Sequence, residues 1–386
     1  MGNKSSAETE IENFKNNFVK YADEDNKDYG KVSFYNNKYD KNDVVMLKNQ
    51  WSNSLTEAED MDRIIANRQN IVHPNLAHTR SYAKTDDKQW CSTFHKHTTA
   101  FEYHENNLES EISRRNSGVH HNVSSAPLTE PEFWYMANAT TSADVALNRE
   151  GGAYHGNLQP STLMLDNAGK VKLIDNQLIH FKHNTYTRML NDRSVKAPLS
   201  PHLLDQLKVK AVNPSYNPSK EESWALGMTS LCAATNTKLD DYYDWSVPAL
   251  KWDVVQHNLS SVEGRYSKQA HGFIESCLEE SEERRPCLED HERFFKPYLD
   301  EVNQVKLDFK TRNVRTVETI TKPATQTIEY QTEIPINSII RGDDDFFSRK
   351  VVIKKEAPVA RPPSPKFIEV DADDFFARPE VIIERY

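Results

Sequence analysis

Two hydrophobic rhythms follow one another along the chain. KVSFYNN and DVVMLKNQW are short runs of β-branched, aromatic and aliphatic residues separated by the turn-forming KYDKND, and they predict two strands between Lys31 and Trp51. The period changes from Leu55 to Ile71, where Met61, Ile64 and Ile65 fall at helical spacing. Ser54 and Glu57, at the start of that run, have the separation of a capping box. Strand-like residues return from Trp90 to Tyr103. Helical patterns then dominate to about Leu299, with an interruption near Val171 to Ile179. Strands with one helix, followed mostly by helices, predict an α+β fold with two lobes. The expected boundaries are a polar arm over 1–17, a strand-rich lobe over 18–105, a helical lobe over 106–299 and an extended tail over 300–386.

The tail has its own character. Val314 to Ile334 alternates Thr with apolar residues, which reads as extended chain, and APVARPPSP at 357–365 is polyproline-like. Two pieces repeat: DDDFFSRKVVIKKE from Asp343 and DADDFFARPEVIIER from Asp371. Aromatic residues are depleted in solvated linkers. Phe346 and Phe347, and then Phe375 and Phe376, are therefore expected to be apolar anchors that dock on a partner, framed by acidic residues.

Composition narrows the setting. Hydrophobic residues make up 37% of the chain and mean hydropathy is −0.77, so part of it is expected to lie outside any packed core. A net charge of −10 argues against nucleic acid as a partner, because phosphate-binding surfaces need clustered Lys and Arg. Cys91, Cys232, Cys277 and Cys287 lack C-x-x-C spacing, which suggests neither a zinc site nor a disulfide framework. No run of about 18 apolar residues is present, and no apolar signal-peptide core follows the first methionine. These features lead to the expectation of a cytoplasmic chain. MGNKSS matches the pattern for myristoylation of Gly2, the one route by which membrane contact is expected. A single myristoyl chain binds membranes only marginally.

The segment from about Phe18 to Leu299 resembles a eukaryotic protein kinase domain, through motifs in the right order. YGKVSFYNNKYDKNDVVMLK is similar to the end of a Gly-rich loop followed by the strand that carries the nucleotide-binding lysine, here Lys48. NIVHPNLA resembles the turn after the αC helix, and Phe101, Glu102 and Tyr103 resemble the hinge. His155, Leu158 and Pro160 match the frame of H-R-D-L-K-P-x-N, while Lys172, Leu173 and Asp175 match the approach to D-F-G. SWALG, with Trp224 and Gly227, resembles the D-V-W-S-L-G helix. FIESCLEESEERRP resembles the late loop with its structural arginine, here Arg285.

Against that pattern the reacting groups differ. Asp25 and Lys27 stand at the first two glycine places of the loop, and only Gly30 is kept. Asn157 replaces the catalytic aspartate, and an amide cannot take up a substrate proton, help usually worth about 10²–10⁴ in rate. Gln159 replaces the phosphate-facing lysine and Thr162 the metal-binding asparagine. D-F-G becomes Asp175, Asn176 and Gln177. The helix glutamate that would pair with Lys48 falls at Ile64, leaving Asp62 or Glu59 as substitutes from a shifted helix. APLSPHLL puts Leu199 or His202 where Arg285 would find its carboxylate, so another partner such as Glu222 is needed.

The resemblance thus implies a pseudokinase: not an enzyme, without a required cofactor, with Lys48 and Asp175 as remnants of a nucleotide site. His95, His97, His104, His120 and His121 lack fixed ligand spacing and read as solvated surface. Thr185, Tyr186 and Thr187 read as surface loop. The leading expectation is a scaffold in a large, filamentous protein assembly. The Asn- and Lys-rich composition, similar to that of AT-rich protist genomes such as those of ciliates, suggests ciliary microtubules and the cytoskeleton as its setting. The alternatives are a signalling pseudokinase, myristoylated at Gly2, that regulates a partner kinase at membranes, and a divergent active kinase.

The tail yields a direct test. The chain between the two Phe pairs can extend to at most about 100 Å, which suits two anchor sites on successive subunits of a polymer, joined by avidity. Changing Phe346–Phe347 or Phe375–Phe376 to Ala-Ala should weaken retention in the assembly modestly, and changing both pairs should weaken it severely. Unchanged retention of the fourfold variant rules out bivalent docking.

Overall fold

The computed structural model describes residues 14, 16–26, 28–40, 42–89, 92–117, 126–175 and 185–295. Gly2, Lys27, Asn176, Gln177, His120, His121, Phe346, Phe347, Phe375 and Phe376 lie outside them. All the described residues belong to one compact unit.

The expected strands KVSFYNN and DVVMLKNQW form β2 (Gly30–Asn37) and β3 (Val44–Ser52). They sit in a five-stranded sheet with β1 (Phe18–Asn26), β4 (Thr79–Gln89) and β5 (Ser92–Tyr103), in the order β1-β2-β3-β5-β4. Every neighbouring pair is antiparallel. β1 and β4 were not expected as strands. Both lie at the edges, and TRSYAKTDDKQ carries the charges that guard an exposed ladder rather than an apolar alternation.

Helix α1 (Leu55–Gln69) is inserted between β3 and β4 and covers one face of the sheet. Its cap is half of the expected box. Ser54 Oγ accepts from the Glu57 N–H at 3.4 Å, but the Ser54 N–H donates to Ser52 Oγ at 3.1 Å. Beneath α1 the strand histidines are not solvated, contrary to their sequence reading. His97 is 1% exposed and His95 7%. Tyr82 donates to Asp62 of α1 at 2.7 Å and shares a second 2.7 Å bond with His97 Nδ1.

The rest is a helical body: α2 (Leu108–Ser117), α3 (Glu130–Gly151), α4 (Thr185–Asn191), α5 (Pro201–Lys208), α6 (Pro218–Thr235), α7 (Trp252–Glu263), α8 (Lys268–Cys277) and α9 (Leu288–Phe295). The expected interruption is a small antiparallel hairpin of β6 (Leu163–Leu165) and β7 (Val171–Leu173). A second hairpin joins β8 (Tyr243–Asp244) and β9 (Ala249–Leu250). The observed class is α+β, as the order of patterns predicted. No helix among the described residues is long and apolar enough to cross a membrane.

The β6–β7 hairpin links sheet and helices. Met164 and Ile174 pack into a small core with Tyr29 of the β1–β2 turn and with Val32, Phe34, Met46 and Phe101 of the sheet. Backbone bonds from Leu173 to Asn75 (2.7 Å) and from Ala77 to Leu173 (2.8 Å) dock the NIVHPNLA turn on β7. In the larger core every residue of α6 from Glu221 to Ala234 is buried, as suits a helix surrounded on all sides. Thr185 and Tyr186 belong to this body, not to a surface loop. Both are buried, and Tyr186 donates to the Ala211 carbonyl at 2.9 Å.

α6 meets α8 at Gly227, where an added Cβ would stand 2.6 Å from Cys277 Cβ. An alanine gains about 1 kcal/mol of helix propensity over glycine, but overpacking against a rigid neighbour costs about 1–3 kcal/mol. Gly227→Ala should therefore destabilise the protein in urea titration. A midpoint equal to or above that of the unaltered protein contradicts this tight crossing.

Candidate functional site

The residues singled out for chemistry converge where the β1–β2 turn meets the loop before β6. The turn is drawn tight by Asn26, whose Oδ1 accepts from the N–H groups of Asp28 (2.8 Å) and Tyr29 (3.2 Å). Gly30 closes it at φ 73°, a left-handed conformation that favours glycine. This geometry buries Asp28 and Tyr29 while Asp25 stays exposed on the strand, opposite Lys31. The carboxylate that enters the site is thus Asp28, not the Asp25 singled out from the sequence.

Asp28 is held from two sides. Its Oδ1 accepts from Gln159 Nε2 at 2.8 Å, and its carbonyl accepts from Arg188 Nη1 at 2.7 Å. The other hydrogen of the Gln159 amide goes to Asn157 Oδ1 at 3.1 Å. Tyr29 adds a longer bond of 3.3 Å to the Ser161 carbonyl. Thr162 Oγ1 accepts from the Gln159 N–H at 3.2 Å and faces the carbonyls of Gln159 (2.9 Å) and Asn157 (3.1 Å). Asn157, Gln159 and Thr162 are therefore brought together, but as a bonded lattice. Each amide or hydroxyl has a place in the turn.

The second half of the site is ionic. Arg68, on the buried face of α1 with Met61 and Ile65, reaches Asp175 just after β7 and forms an ion pair with it. Arg68 is 2% exposed and Asp175 1%. The guanidinium also donates to the carbonyls of Ala153 (2.6 Å) and Tyr154 (3.2 Å). Gly151 makes room for it: a Cβ there would stand 2.6 Å from Arg68 Cγ. Asp62 and Glu59 do not turn towards Lys48. Asp62 takes the Tyr82 hydroxyl, and Glu59 is exposed.

Lys48 lies on β3 between Val32 and Thr99 and is buried. Burial, then the nearby Arg188 charge, lowers its ammonium to about 7, with Asp175 acting in the opposite sense. His155, also buried, is lowered to about 4 mainly by desolvation and stays neutral. It bonds the Ile174 carbonyl through Nε2 at 2.6 Å, tying the loop to the residue before Asp175.

Arg285 finds the neighbour of the expected carboxylate. Its Nη1 lies 3.2 Å from Glu221 Oε1, which also accepts from Ser200 Oγ at 2.6 Å. Its other bonds go to the carbonyls of Glu279, Lys220 and Glu280, and the guanidinium stacks 4.9 Å from the Trp224 ring. Glu222 points elsewhere, accepting from the Gly156 N–H at 2.6 Å. Adjacent positions on a helix face directions about 100° apart, which separates the two roles.

The described histidines do not assemble. His95 bonds Asp86, His97 bonds Tyr82 and His104 bonds Glu102. Among the described residues no group of three His, Cys, Asp or Glu side chains could hold a metal ion. Sequence reading missed Arg68, Asp28, Tyr29 and Arg188. For Arg68 a signal existed: it continues the Met61, Ile65 stripe, where a charge at a core position requires a buried partner. No protein-family model matches the chain, and no curated protein matches it.

Removing one partner of a buried ion pair typically costs about 3–5 kcal/mol, because the other charge is left uncompensated. Arg68→Met and Asp175→Asn should each lose stability of that order in urea, and the double variant should lose less than the sum. Strict additivity in the double-mutant cycle would show that the pair does not act as a unit.

Proposed function

We propose that the chain is a kinase-like body that has exchanged phosphoryl transfer for internal bonding and serves as a structural component of a protein assembly. The observation that carries this reading is the Arg68–Asp175 ion pair. In the kinase pattern, Asp175 stands where a carboxylate holds the metal that bridges the phosphates. Here that carboxylate is engaged by a guanidinium fixed by two backbone carbonyls. The Asp28–Gln159 bond supports the same reading, since it places an anionic group beside the loop that would face phosphate. Asn157 contributes an amide in place of a base. The antiparallel sheet with a single inserted helix, followed by a helical body, supports the two-lobed kinase-like arrangement.

Such a body has stability to offer a partner rather than chemistry, and the repeated Asp-Asp-Phe-Phe segments are its natural attachment points. We extend the proposal to a cytoskeletal setting on that ground.

A ligand at 100 times its Kd stabilises a protein by about 2.7 kcal/mol, so thermal unfolding with millimolar ATP and Mg²⁺ is a sensitive test. The melting temperature should not rise, and no phosphate should reach a generic substrate or the chain itself. A rise that depends on Mg²⁺, together with transfer abolished by Asp175→Ala, overturns the reading. Detergent extraction of cells tests the setting: the protein should stay with the insoluble cytoskeleton, and complete release into the soluble fraction rejects that part.

A further inference from the structure

Asp144, midway along α3, and Glu222, near the start of α6, meet carboxyl to carboxyl. They are 0% and 5% exposed. One oxygen of each is committed to the same loop: Asp144 Oδ1 accepts from the His155 N–H at 2.7 Å, and Glu222 Oε1 from the Gly156 N–H at 2.6 Å. The other two oxygens, Asp144 Oδ2 and Glu222 Oε2, are sealed from solvent and find no donor among the described residues. Two such acids are satisfied only through each other, by one shared proton.

The surroundings hold that proton in place. Glu221 on α6 and Glu289 on α9 add negative charge, Glu221 being offset by Arg285. From α1, Arg68 favours ionised Asp144, but its guanidinium is paired with Asp175. Nearby Tyr154 donates to Glu289, Tyr216 is partly buried, and the His155 ring is neutral. Burial raises Asp144 to about 6 and lifts Glu222 well above the ordinary carboxylate range.

On its other side Glu222 forms part of the wall of a cavity of about 250 Å³, lined also by Tyr154, Gly156, Asn157, Leu203 and Tyr216. When the shared proton leaves, two like charges face each other away from water, and one must turn towards space it can hydrate. The cavity is that space for Glu222, and turning into it releases the Gly156 N–H.

We propose that Asp144 and Glu222 form a proton-operated latch: sharing one proton, they pin the 153–157 loop between α3 and α6, and on losing it Glu222 swings into the cavity and frees the loop. The direction follows from linkage. Acids raised in the folded state contribute stability that is full below the ordinary carboxylate range near about 4 and is lost as pH rises through the folded values. The first ionisation, at Asp144, leaves one proton shared by the pair, so the latch loosens only as pH rises through the higher folded value, that of Glu222, well above the ordinary carboxylate range.

Amide hydrogen exchange of the full chain tests this between about pH 5.5 and pH 9.5, with rates corrected for intrinsic exchange. Protection of Gly156 should fall at least about tenfold over that range while Met228, inside α6, keeps its protection. Glu222→Gln supplies a permanent donor in the same shape and should make Gly156 protection independent of pH. Asp144→Asn should do the same, and serves if the first variant does not fold. Equal protection of Gly156 at both pH values in the unaltered protein, or an undiminished pH effect in a folded variant, overturns the latch.

Discussion

A guanidinium removed from water must be surrounded by acceptors, because an uncompensated buried charge costs more than any single packing contact supplies. Arg68 imposes that requirement where the sheet, α1 and the helical body meet. It draws in the Asp175 carboxylate and the carbonyls of Ala153 and Tyr154, and so fixes two loops against one helix. Gly151 is the complementary condition, since a side chain there would occupy the path of the Arg68 stem. Once these loops are set, His155 can reach the Ile174 carbonyl and Gln159 can reach Asp28. The site is built outward from one cation.

The same rule operates near the start of α6. Arg285 is also buried and is satisfied by a carboxylate from its own neighbourhood, Glu221, with Ser200 holding that carboxylate from the segment before α5. Trp224 covers the guanidinium face and donates to Tyr243, which in turn donates to the Leu199 carbonyl. A hydroxyl and an adjacent helix residue thus do what a single distant carboxylate does in the pattern that the sequence resembles. The requirement is for an acceptor in a given place, whatever segment supplies it.

Which parts were readable follows from range. β2, β3 and α1 could be read because their signals are local: two strand-like runs around a turn, and an apolar period after a capping serine. β1 and β4 could not, since an edge strand has no need of alternating apolar residues and these carry charges instead. Glu221 rather than Glu222 as the Arg285 partner depends on the rotation of α6, which spacing alone leaves open by one residue. The burial of His95, His97, Thr185 and Tyr186 depends on α1 covering the sheet and α4 entering the helical body, both tertiary events. Asp28 was hidden because alignment by glycine positions directed attention to Asp25 and Lys27, whereas Asn26 tightens the turn and tips Asp28 inward. The substituted positions Asn157, Gln159 and Thr162 were identified from the frame; that they bond to one another was not.

That mutual bonding bears on how firmly each residue of the site is held. A carboxylate at position 157 could still accept from Gln159, but it would stand near Asp28, a second anion at a site with little water. A lysine at 159 would have to satisfy Asp28 with a point charge in place of an amide that also reaches residue 157. Freeing Asp175 requires losing Arg68, and with it the anchor of the 153–154 carbonyls. Each residue is held by neighbours that complement its chemistry, so changing any one of them breaks contacts with the others. Networks of this kind are cooperative, and cooperativity gives the site a stability of its own.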